Sequence, residues 1–155
     1  MTMYINILKP EELQMTLQQL DAAAQDVINA GQAREEAYGN KADLVKQRTT
    51  LKTDVDLTES EAIMNIKGEG KSAYAEVAGG EKVYLTNETA REAYRKMASQ
   101  EQRKALALVE ADISALEVKY YQASDKWQTV KAAADAIQAK ANLQAAMLTF
   151  MAKQG

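Results

Sequence analysis

The stretch LALVEADISALEVKYYQASDKWQTVKAAADAIQAKANLQAAMLTFM, residues 106–151, decides the fold. Its apolar residues step by three and four without a slip: Leu106, Val109, Ile113, Leu116, Tyr120, Ala123, Trp127, Val130, Ala134, Ile137 and Ala141, then polar Gln144, then Leu148 and Met151. Such alternation averages 3.5 residues, so one stripe keeps facing one partner helix, as in the seam of a coiled coil. A helix of about 45 residues is roughly 68 Å long and cannot bury that stripe against itself. The large seam residues from Leu106 to Leu148 therefore demand a second long helix, from this chain or from another copy. Gln144 sits where a buried polar residue would set register.

Working outward, Pro10 with Glu11 and Glu12 reads as a helix start. Proline is tolerated in the first turn, and carboxylates there complement the positive end of the helix dipole. A stripe of Leu13, Leu17, Leu20, Ala24 and Val27 follows, fading at Gly31 and Arg34 and resuming at Tyr38 before Gly39-Asn40. This predicts a helix over 10–39. A second helix is expected over 41–66, with Leu44, Leu51, Val55 and Ala62 on its stripe and Arg48 and Thr58 between them. Residues 67–86 hold Gly68, Gly70, Gly79 and Gly80, with Tyr74 and Val77 before the Gly-Gly pair and Val83 and Tyr84 after it. That pattern fits a small β-hairpin or an ordered loop. Thr86 or Asn87 can cap a last helix over 87–152, with Tyr94 and Met97 on one face and a possible break near 99–101.

These lengths predict one all-α domain over 1–155: an elongated antiparallel helical hairpin with the small β-hairpin or loop at its tip. The Leu13–Val27 stripe would meet the Trp127–Leu148 part of the seam. The glycine-rich connector is expected to be dispensable for helicity. Leu143, Met147 and Phe150, lying off the seam, argue for more than one neighbour and hence for a homo-oligomer.

Composition narrows the chemistry. The chain of 155 residues has no Cys and no His, so thiolate and imidazole metal sites and the usual neutral-pH general base are missing. Its net charge of −3 is too mild to demand a polyanionic partner. Met1 to Leu8 lacks the basic start of a signal peptide, and no apolar run reaches membrane-spanning length. A cytoplasmic location is expected. Gly70-Lys71-Ser72 has the residues of a phosphate loop, but Asn65 stands where the first glycine is required. Asp54, Asp56, Glu59 and Glu61 read as a solvated helix face, not as a hard-cation site. No catalytic residue, metal site or cofactor is expected.

The candidate recognition residues are Lys67, Lys71, Tyr74, Lys82, Tyr84, Arg91 and Arg95, which combine cations with rings on which bases could stack. Charge counting tempers a nucleic-acid reading: residues 41–104 carry 12 Lys+Arg against 11 Asp+Glu. Finally, Tyr84-Leu85-Thr86-Asn87-Glu88 with Arg91, followed by the seam from Leu106, resembles small helix-rich coiled-coil proteins of tailed bacteriophages and prophages. The likeness spans about residues 42–150 and implies an accessory, non-enzymatic role, and it transfers no catalytic residue. The expected function is a self-associating protein-interaction module that modulates host or phage machinery. Single-stranded nucleic-acid binding in recombination or replication is the alternative.

Overall fold

A computed structural model describes residues 9–154 of the chain. The stretch Met1–Leu8, read above for a targeting signal, lies outside the described residues. Among the described residues four helices and one small sheet follow in order: α1 (Pro10–Glu36), α2 (Lys41–Met64), a 3-10 turn (Gly70–Ser72), β1 (Tyr74–Glu76), β2 (Lys82–Tyr84), α3 (Glu88–Ala98) and α4 (Gln100–Gln154). The protein is thus predominantly helical. No helix among the described residues is long and apolar enough to cross a membrane.

The boundaries follow local chemistry. Pro10 opens α1 with Glu11 and Glu12 in its first turn. Gly39, at φ +49°, turns the chain into α2. Asn87 caps α3, its Oδ1 accepting from the Ala90 N–H at 2.8 Å. The expected break falls at Ser99 and is slight: backbone bonds from Ser99 to Arg95 and from Arg103 to Ser99 carry the ladder across it. Beyond it, α4 runs unbroken for 55 residues.

The chain divides into two compact units. The first comprises Met1–Gly39 and Leu116–Gly155, the second Asn40–Ala115. In the first unit α1 packs on the carboxy-terminal part of α4. The Tyr38 and Tyr120 rings lie 4.1 Å apart, the Arg34 guanidinium sits 4.1 Å over Trp127, and Gly31 lies against the Trp127 indole. A groove is bordered by Ala23 and Asp26 on one helix and by Val130 and Ile137 on the other. Numbers falling along α1 meet numbers rising along α4, so the two segments pair antiparallel.

The seam of α4 is covered as the spacing predicts, from Leu116 to Gln144, and Gln144 itself is buried. Its last turns differ. Leu148 and Met151 are 44% and 54% exposed, and Met147 is the half-buried residue instead. The pairs 38–120 and 31–127 both sum to 158, which sets Pro10 level with residue 148. The partner helix starts there, so nothing in α1 extends past Leu148 to cover it.

The stripe of α1 is also corrected. Leu13, Leu20 and Val27 lie on the covered line, but the positions between them are Thr16, Ala23 and Ala30, all buried. Leu17 is 63% exposed and Ala24 is exposed. At positions 16 and 17 the smaller side chain is the buried one, which lets two helix backbones approach closely, while at the identical pair Ala23 and Ala24 the turn of the helix alone decides.

In the second unit the α2 stripe is the expected one. Leu44, Val55 and Ala62 are buried, and Leu51, Arg48 and Thr58 are half-buried beside them. In α4, Ile113 is buried and Leu106 and Val109 are half-buried. On α3, Tyr94 turns inward but Met97 does not, being 57% exposed.

Candidate functional site

The glycine-rich segment forms a true hairpin. Tyr74 pairs with Tyr84, Ala75 with Val83 and Glu76 with Lys82. The connection closes through Gly80 N–H to Val77 O at 3.0 Å and Val77 N–H to Glu81 O at 2.9 Å. Gly79 and Gly80, at φ +91° and +80°, occupy a conformation that other residues rarely adopt. Lys67 extends the pairing, exchanging two backbone bonds of 2.8 Å with Tyr74.

Alternation along a strand divides these residues between two faces. Ala73, Ala75 and Leu85 lie inward, with at most 2% of their surface exposed. The hairpin's inner face is therefore part of the second unit's core. An isolated two-stranded sheet is marginal in water, and this one is held by what its inner face buries.

Across the outer face Lys67, Tyr74 and Tyr84 form one row, and Glu76 and Lys82 form the next. The two tyrosine rings are 6.3 Å apart. The Lys82 ammonium lies 4.6 Å over the Tyr74 ring, and Lys67 pairs with Glu76 at 3.3 Å. Tyr84 is 61% exposed. Four of the seven candidate residues thus share one surface.

The other three do not join it. Lys71 sits exposed on the 3-10 turn. Arg91 donates to the Gly70 carbonyl at 3.3 Å and lies 3.8 Å from Glu88, so it braces that turn. Arg95 turns to Glu92 at 3.6 Å and to Glu59 at 3.7 Å. Both arginines turn to acceptors in their own neighbourhood.

Arg95 leads to a cluster that the sequence reading did not find. The Glu59 side chain, only 14% exposed, accepts from the Ser99 hydroxyl at 2.8 Å and from Arg103 Nε at 2.9 Å on the same oxygen. Arg103 Nη2 also contacts that oxygen. Burial pushes the Glu59 carboxyl up, but hydrogen bonds from Arg103 and Ser99 and the charges of Arg103 and Arg95 outweigh it. They hold it below the usual carboxylate range. Glu59 is thus no part of a solvated acidic face. It ties α2 to the junction of α3 and α4, 40 residues away in sequence, and no local spacing signals such a contact.

Among the described residues no group of three or more His, Cys, Asp or Glu side chains converges as a metal site would require. The hairpin face instead offers two phenol rings, two lysines and one glutamate. Comparison with protein-family models, curated proteins and solved structures found no match.

Proposed function

We propose that this chain is a non-enzymatic protein-interaction module whose recognition surface is the outer face of the hairpin, centred on Tyr74, Lys82 and Tyr84. The observation that carries this reading is the state of the cations around it. Lys67 is paired with Glu76 and Lys82 lies on Tyr74, while Arg91 and Arg95 are held by their own neighbours. A surface of exposed tyrosine with compensated charge suits a protein partner. A phosphate backbone would call for free cations.

In this reading α1 and the carboxy-terminal part of α4 pair as an antiparallel coiled coil, and the second unit carries the recognition face. The antiparallel order of contacts in the first unit and the unbroken α4 support it. The resemblance to small phage and prophage proteins supports a role in a bacterial cytoplasm during infection, acting on host or phage machinery.

The test is affinity capture from infected cells with the intact chain and with Tyr84→Ser and Lys82→Ala variants. Loss of a captured protein in both variants, at unchanged helicity, supports the reading. Capture that is indifferent to both refutes it.

The alternative, single-stranded nucleic-acid binding, draws on Lys71, which is exposed on the 3-10 turn and has no ion pair among the described residues, together with the rings of Tyr74 and Tyr84 on the hairpin face. It predicts binding that weakens steeply with added salt. No binding of single-stranded DNA at low salt removes it.

A further inference from the structure

α4 carries a second heptad stripe that nothing in the chain's own helix pairing uses. Ala132, Ala136, Ala139, Leu143, Ala146 and Phe150 step four, three, four, three, four, and every one is exposed. The two large ones, Leu143 and Phe150, are 54% and 63% exposed. Each stripe residue from Ala132 to Ala146 lies two positions after a member of the covered seam, and Phe150 continues the line. At about 100° per residue it therefore sits roughly 200° around the helix, on the side away from α1. Two such stripes on one helix call for two neighbours, and α1 supplies only one.

The charges beside the stripe identify the other. With Ala132, Ala139 and Ala146 at d and Ala136, Leu143 and Phe150 at a, Asp135 falls at g and Lys140 at e. In a parallel pair of identical helices, g of one strand meets e of the other five residues on. Asp135 would then meet Lys140 of the second copy, twice by symmetry. In an antiparallel pair with full overlap of the stripe, e faces e, and Lys140 would meet its own counterpart. Asp135 and Lys140 are exposed and take part in no salt bridge among the described residues.

We infer that a second copy of this chain docks in parallel along this stripe, forming a two-fold dimer through α4. The surface differs from the hairpin face, so the inference stands whatever that face binds.

The absence of cysteine makes the test direct. The full chain is weighed by sedimentation equilibrium over roughly 10–500 µM, a range suited to an interface under three heptads long. Its mass should rise from one chain toward two. Leu143→Lys should keep the molecule monomeric without loss of helicity, because the position is exposed. Asp135→Lys or Lys140→Asp alone should weaken the dimer by roughly five- to tenfold, with recovery in the double exchange. Under mild oxidation Ala132→Cys and Ala146→Cys should each cross-link to themselves, which parallel pairing allows and full-overlap antiparallel pairing forbids. A monomer throughout, a dimer indifferent to Leu143→Lys, or cross-linking only between the two different cysteine variants would overturn the inference. So would a monomer that dimerises only after residues 1–8 are removed, since the chain's own amino terminus would then be the occupant.

Discussion

Four residues carry distinct energetic signatures. The Glu59 carboxyl is held below its ordinary range in the folded state. Its contribution is therefore complete above the unfolded carboxylate range and is lost as pH falls through the lowered folded value. Glu59→Gln should cost about 1–3 kcal/mol near neutrality, because it weakens hydrogen bonds from a cation and leaves Arg95 and Arg103 without their carboxylate. The variant should also show a flatter acid limb in a denaturant series run from pH 7 to pH 3. An acid limb as steep as that of the unaltered chain would remove Glu59 from this role. Gly31 and Gly39 should respond oppositely to alanine. At Gly31 a new methyl would rest 3.6 Å from the Trp127 ring, in ordinary contact within a helix. Gly31→Ala should therefore stabilise by about 0.5–1 kcal/mol. At Gly39, with φ +49°, the same change should destabilise by about 1 kcal/mol. Trp127 is half-buried rather than enclosed, with Arg34 above it and Lys131 at 5.0 Å. Its replacement by alanine should cost about 2–3 kcal/mol, at or below the low end for buried aromatics, as thermal or chemical melting would measure.

At the scale of the element, the hairpin has changed its standing most. Its strands are three residues each, yet Leu85 just after β2 is 1% exposed. Leu85→Ala should cost about 2–4 kcal/mol and should loosen the second unit. Amide exchange would show this as lost protection in α2 and α3; protection unchanged there would return the hairpin to the surface. The Gly-Gly turn and its flanking tyrosines were legible because turn chemistry is local. Which strand face turns inward was not, since Ala73 and Ala75 carry little apolar weight and look no more like core than Tyr74. The helices divide in the same way. The seam of α4 and the stripe of α2 stand out because their large apolar residues recur at one period. On α1 the pattern misled at Leu17 and Ala24, where Thr16 and Ala23 are buried instead. Large residues announce a stripe, but the closest packing is made by small ones.

For the whole molecule, the described residues bring no three carboxylates together. Added Mg²⁺ or Mn²⁺ at millimolar concentration should therefore leave the melting temperature in place, whereas a rise of several degrees would reveal a bound ion. Periodicity, caps and glycine placement determined by themselves that the chain is predominantly helical, that helices begin near Pro10, Lys41 and Glu88, and that a turn interrupts the helices near Gly79 and Gly80. Those are properties of neighbouring residues, and i-to-i+4 chemistry suffices to read them. The tertiary structure alone decided three things: that Arg91 and Arg95 turn to neighbouring acceptors, that Glu59 reaches Ser99 and Arg103, and that Thr16 and Ala23 of α1 are buried while Leu17 and Ala24 are exposed. Each depends on groups that are distant in sequence and become neighbours only when the helices pack, and burial and charge pairing act on that distance in space.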